Sequence, residues 1–498
     1  MNVNPITRLD YPDLDVIRVE DTYYMVSTTM HFMPGCEILQ SFDLVHWEHA
    51  TYVYETLDHT DAQQLKSGQN IYGQGMWAAS LRYHEGRFYI CFVANDTRKT
   101  YLYTSEKIDG PWKKQLIEGF YHDGSLLFDE DGRNYIVYGN DEIWITELNE
   151  DLTAPKKDGL HRLLVSDHKN PELGYEGSHI QKINGYYYIF LIHSLRDRWM
   201  RTEACFYSDS LEGEFTGGDV LCDDRGYCGQ GVAQGGIVDT PDGKWYAMLF
   251  QDSGAVGRLP ILLPVTWKDH FPVFGQNGHV PEEIEVHSTR PGYIYQPLVG
   301  SDDFCNGLLP RWQFNHDPDP RYYHLDALQG TYTITTREVC TELTQAVNTL
   351  TQRMSYPSCA AEVTVDASAL KEGDVAGLCA FQGCYAAVGI TKHHGKYEVL
   401  MLDKKEDGIL DMTEGTVVES HQMDFRLEAD FCNMKDEARC YYRVNKGDWL
   451  PIGTVHKLYF KLDHFTGCRF GLFCYAAEET GGSACFRDFK YYDVDEIS

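Results

Sequence analysis

HDGSLLFDEDGRNYIVYG (residues 122–139) and YEGSHIQKINGYYYIFLIHS (175–194) are two versions of one phrase. Each opens on an acid beside glycine, runs through an apolar stretch, turns at DG or NG, and returns through aromatic residues. Three more versions occur, at YPDLDVIRVEDTYYMVS (11–27), WAASLRYHEGRFYICF (77–92) and AQGGIVDTPDGKWYAMLF (233–250). DG and NG supply the positive φ of a tight hairpin. The entries near positions 13, 79, 123, 176 and 234 are spaced for one four-stranded unit each. Five such units predict a five-bladed β-propeller, in which equivalent entry positions converge on one axis.

Short alternating runs punctuated by Gly, Asn and Asp dominate the chain, and helical periodicity is scarce, so the fold class is all-β. The repeated phrase stops near residue 300. TRPGYIYQPLVGSDDF (289–304) reads as an exit strand and linker. Beyond it lie segments such as GTYTITTRE (330–338), AAEVTVDASA (360–369), KLYFKLD (457–463) and RFGLFCYA (469–476), which predict a two-sheet sandwich. The expected domains are a propeller over 1–299 and a β-sandwich over 300–498.

The 498 residues carry a formal net charge of -32. Such a surface repels phosphate backbones and anionic membranes, which argues against nucleic acid and membrane partners and favours a neutral substrate. No run approaches about 18 apolar residues, so no membrane span is expected. The N-terminal MNVNPITRLDYPD lacks the basic and apolar regions of a secretory signal. The 15 cysteines contain no CxxC pair and read as reduced thiols. A cytoplasmic location is expected. The sequence leaves the oligomeric state open, a homo-oligomer included.

Three entries bear carboxylates: Asp13, Asp123 and Glu176. An unpaired carboxylate facing the core is costly. Its recurrence at one register in three blades points to acid/base chemistry. The structural alternative is that these acids cap turns or pair with arginines at strand ends. Asp10 and Asp15 compete with Asp13, Asp10 lying before the proline. No phosphate loop, nucleophile elbow or HExxH is present.

These stretches, with GRLPILLPVTWKD (257–269) and SDDFCNGLLPRWQFNHDPD (301–319), resemble family 43 glycoside hydrolases over the full length. Those enzymes are inverting five-bladed propellers that include β-xylosidases and α-L-arabinofuranosidases, and the longer members carry a concanavalin-like sandwich. The resemblance implies that Asp13 is the general base, Glu176 the general acid, and Asp123 the carboxylate that tunes and orients. Trp77 matches a sugar-stacking tryptophan, with a core role as the alternative. Arg258 matches a hydroxyl-binding arginine, with a structural salt bridge as the alternative. The loop MHFMPG (30–35) is expected to close one wall, with Phe32 as its contact and His31 either there or in polar packing. CAFQGCY (379–385) is the sandwich segment expected at the pocket mouth.

Two departures stand out. Leu14 replaces the proline that usually follows the base. Many members place a histidine near the axis, beside a bound calcium or its waters, and Gln234 occupies the matching position here. No cofactor is required by the chemistry, and Ca²⁺ at the axis is the one ion the resemblance raises. The implied activity is exo-hydrolysis of terminal β-D-xylose or α-L-arabinofuranose from small xylo- or arabino-oligosaccharides. The alternatives are an endo-arabinanase-like hydrolase and a non-catalytic carbohydrate-binding propeller.

Overall fold

A computed structural model describes residues 3–413 and 415–493. The first five sheets are four-stranded antiparallel meanders whose strands follow chain order. Their first strands are Asp15–Val19, Met76–His84, Ser125–Phe128, Glu176–Ile183 and Val232–Asp239. Each first strand packs against those of the neighbouring blades, and the fifth blade closes on the first. Hairpins form where the turn residues require them. Between Ile183 and Tyr186 the chain turns through Asn184 (φ 51) and Gly185 (φ 84), the left-handed pair of a two-residue hairpin.

Alternation along each strand sends one set of side chains to each neighbouring blade. Separate apolar clusters therefore fill the interfaces between blades one and two, two and three, three and four, four and five, and five and one. The tyrosine-rich return of the fourth blade shows the principle. Tyr187 packs toward the third blade and its neighbour Tyr188 toward the fifth. Burying side chains of this size stabilises each interface by roughly 1.5–3 kcal/mol apiece.

The last strand of the fifth blade ends at Phe274. The segment read as an exit strand is instead irregular and runs back over the first blade. There Tyr293 donates to Glu48, Gln296 N donates to Glu48 at 2.9 Å, and Arg290 pairs with Asp21 at 2.7 Å. These side-chain bonds hold it where a sheet ladder was expected.

Among the described residues, the remainder is a sandwich of a nine-stranded and a seven-stranded sheet. One strand of the larger sheet comes from the propeller. Phe32–Met33 leaves the first blade and pairs antiparallel with Gln313–Asn315. The main sandwich cluster also takes in Ala255, Val256 and Leu259 of the fifth blade. Strand addition and shared core fix the sandwich over one face of the propeller, and that contact shapes the site.

Candidate active site

The propeller entries converge on a cavity of about 570 Å³ lined by Asp13, Trp77, Asp123, Glu176, Gln234 and Arg258. Two local devices turn these side chains inward. In the second, fourth and fifth blades a β-bulge interrupts pairing at the strand entry, between Met76 and Ala79, Glu176 and His179, and Ala233 and Gly236. A bulge bends the strand and re-aims the side chain beside it. In the first and third blades the acid precedes the strand and adopts a left-handed backbone, φ 51 at Asp13 and φ 48 at Asp123. Aspartate tolerates that region better than most residues.

Asp13 is buried between two donors. Arg258 Nη1 donates to Oδ1 at 2.9 Å and Thr28 Oγ1 to Oδ2 at 2.7 Å. Arg258 is itself fully buried, with its guanidinium 4.3 Å from the ring centre of Phe465. Asp123 accepts the Gly177 N–H at 3.0 Å. Gly177 is required there because it has φ 64 and because a Cβ would meet Gln234 Cδ at 2.7 Å. Glu176 is half-buried, and its Oε2 accepts from Asn140 Nδ2 at 2.7 Å.

The competing acids do other work. Asp10 accepts the Arg258 N–H and the Gly467 N–H, both at 2.7 Å, and so clips the fifth blade to a sandwich loop. Asp15 pairs with Arg82 at 2.7 Å. Neither lines the cavity.

Several contributors escaped sequence reasoning. His122 lies 3.5 Å from Asp123 and 3.4 Å from Glu176. The negative charge of Asp123, opposed by burial and helped by Glu176, raises the imidazole to about 9, so the ring is cationic at neutral pH. Burial pushes the Asp123 carboxyl up to about 6, with His122 opposing and Glu176 adding to the rise. Glu203 is fully buried and accepts the Gln234 N–H at 2.7 Å; burial drives its carboxyl well above the ordinary range. The only hint of these roles was position: His122 precedes the repeated acid.

The sandwich supplies Phe460, Lys461, Leu462 and Phe465 to the cavity. KLYFKLD was read as a strand, but the sheet ends at Lys457 and the following residues form a loop over the site. The alternation there serves the cavity rather than a sheet face, which is why Leu462 remains 70% exposed. The segment 379–385 does not reach the cavity; Phe381 and Tyr385 are sandwich core.

The expectation for residues 30–35 is likewise corrected. Phe32 is fully buried in the sandwich core, with Arg469 3.5 Å above its ring. His31 is fully buried among Phe32, Tyr72, His316 and His464, all with ring centres within 4.9 Å of its own. Strand pairing with the sandwich draws this loop away from the cavity.

Among the described residues, His122, Asp123 and Glu176 form one group whose ligand atoms lie within 4.8 Å of one another. Two carboxyls and an imidazole this close can exchange protons among themselves.

The profile described as Glycosyl hydrolases family 43 matches residues 3–272, and that of the beta xylosidase C-terminal concanavalin A-like domain matches 301–492. A beta-xylosidase of Formosa agariphila is 26% identical, covering 99% of this chain and 89% of that one. A non-reducing end alpha-L-arabinofuranosidase of Bacteroides ovatus is 24% identical over 82% of this chain and 79% of its own. A solved bifunctional GH43-CE protein of Bacteroides eggerthii superposes with TM-score 0.92 at 42% identity; 99% of this chain is covered, and it spans 64% of that longer protein. A GH43 glycoside hydrolase engineered for both endo-xylanase and exo-arabinofuranosidase activity gives TM-score 0.86 at 27% identity, with 99% of each chain covered.

Proposed function

The chain belongs to the glycosyl hydrolases family 43, and from that membership we propose an exo-acting, inverting hydrolase that releases terminal β-D-xylose or α-L-arabinofuranose from short oligosaccharides. Asp13 takes a proton from the attacking water. Glu176 protonates the departing glycosidic oxygen from the other side of the sugar. Asp123 grips the ring and sets the field around Glu176, and no organic cofactor takes part.

One observation carries this reading: carboxylates from three separate blades line a single cavity covered on one side by a sandwich loop. The bonding agrees with the roles. Arg258 and Thr28 both donate to Asp13, as a carboxylate base requires. Asn140 donates to Oε2 of Glu176, which leaves Oε1 to present the proton. The His122 cation stands ready to stabilise Glu176 once that proton has gone. Loop cover favours chain ends over the open groove an endo-acting enzyme needs. Relatives described as a beta-xylosidase and as an arabinofuranosidase support both pentoses.

The test compares wild type with Glu176→Ala on nitrophenyl β-xyloside, nitrophenyl α-arabinofuranoside and xylobiose. Nitrophenolate leaves without help from an acid, so the loss should be greatest on xylobiose, about 100-fold or more. Proton NMR of the first product formed should show the inverted anomer. Equal rates for the two proteins on xylobiose would remove Glu176 from its role.

A further inference from the structure

Deeper along the propeller axis, past the carboxylates, stands a guanidinium. Arg82 projects from the first strand of the second blade, Met76–His84. All five of its N–H donors find acceptors. Nε donates to Leu126 O at 2.8 Å. Nη1 donates to Asp15 Oδ2 at 2.7 Å and Leu81 O at 2.6 Å. Nη2 donates to Ser125 Oγ at 2.7 Å and Ile180 O at 3.1 Å. A guanidinium has five donors in a rigid fork, and here none is left over.

The acceptors belong to the strands that carry the acids. Asp15 lies two residues past Asp13, and Ser125 two past Asp123. Ile180 follows the bulge after Glu176. One side chain therefore ties together the first, second, third and fourth blades just below the reacting groups. Its partners are also bonded to one another. Asp15 Oδ2 accepts the Leu81 N–H at 2.8 Å, and Asp15 Oδ1 faces His179 Nδ1 at 3.1 Å. Ser125 Oγ accepts the Ile180 N–H at 3.0 Å. On the far side of this layer a second cavity opens, lined by Ile17, Arg82, Leu127 and Ile237 among others. Arg82 thus stands between the two mouths of the axis.

We propose that Arg82 is the resident cation of the propeller axis: a positioning residue that holds the strands of Asp13, Asp123 and Glu176 in register, in a place where no ligand set remains for a divalent ion. Calcium needs six to eight oxygen ligands. The side-chain oxygens of this layer, from Asp15 and Ser125, are already taken by guanidinium, backbone and imidazole donors. A divalent ion at this spot would also face the guanidinium charge at contact distance. The pair is neutral as it stands. Burial alone would raise the Asp15 carboxyl, but Arg82 and His179 outweigh it and hold it down at about 2, so the carboxylate persists at every working pH. Gln234 lines the sugar cavity rather than this layer.

The positioning claim rests on the roles given to the three acids above; the claim about the ion does not. The two are therefore tested separately, on the full chain. Elemental analysis of the purified protein and thermal unfolding after exhaustive chelation, with and without added CaCl₂, address the ion. Bound calcium should be absent, and Tm should stay within about 1 °C throughout, since a ligand that does not bind the native state cannot stabilise it. A chelation loss reversed by calcium would overturn the inference whatever the substrate.

Arg82→Met and Arg82→Lys address positioning. Arg82→Met should lower kcat about 10- to 100-fold, the effect of a small misplacement of reacting groups, with KM within about threefold. Arg82→Lys keeps the charge but has three donors in place of five, and should recover part of the loss. If Arg82→Met does not fold, Arg82→Lys is read against wild type and should show the same kcat-selective loss. Wild-type kcat in either variant would refute the positioning role.

Discussion

Replacing Arg258 by methionine tests the electrostatics of the site most directly. The change keeps the aliphatic stem and removes a guanidinium bonded to Asp13 at 2.9 Å. Asp13 is 8% exposed, and of its protein donors Thr28 alone continues to donate. Removing one partner of a buried ion pair costs about 3–5 kcal/mol while the other stays charged. The guanidinium also fixes the orientation of the carboxylate, and a misplaced Asp13 is a poorer base. At about 1.4 kcal/mol per decade, kcat/KM for nitrophenyl β-xyloside should therefore fall about 100- to 1,000-fold. Arg258→Lys, a point charge without the fork, should lie between. The assay is steady-state kcat/KM, with thermal unfolding alongside. An unchanged kcat/KM in a folded Arg258→Met protein would refute the idea that this cation keeps Asp13 in its working form.

Two further outcomes follow from contacts outside the repeat. Phe465 caps Arg258, packs 5.8 Å from Trp77 and lines the cavity, so Phe465→Ala removes apolar wall from the site and should raise KM on xylobiose about 5- to 30-fold, the scale of about 1–2 kcal/mol of lost apolar contact. Steady-state kinetics decides; an unchanged KM would show that the loop does not help hold substrate. His122 is raised from 6.5 to about 9, so its contribution favours the folded state below about pH 6.5 and is lost as pH rises through 9. At about 1.4 kcal/mol per unit the parent should lose about 3 kcal/mol from this group between pH 6 and 10, and His122→Asn should not. Urea unfolding at several pH values checks this, and parallel curves for the two proteins would contradict it.

The propeller was legible because its rules are local. Alternating hydrophobicity and DG or NG turns recur often enough to count blades, and the shared register of Asp13, Asp123 and Glu176 made their meeting predictable once the ring was assumed. The loops failed for the converse reason. KLYFKLD alternates like a strand, but the apolar positions Phe460 and Leu462 face a cavity formed with another domain. MHFMPG carries nothing to show that Phe32 would be drawn into a sandwich strand built from residues some 280 positions later.

Pattern and turn chemistry, acting over a few residues at a time, thus determined the all-β class, the five blades, the second domain and the three carboxylates. Contacts between distant segments decided the rest: the sandwich loop over the sugar site, the Asp123 and Glu176 carboxylates that raise His122 against its burial, the burial that raises Glu203, and the five-acceptor nest around Arg82. Those properties depend on how much water is excluded and which charges face each other, quantities that exist only once the ring of blades has closed and the sandwich has packed against it.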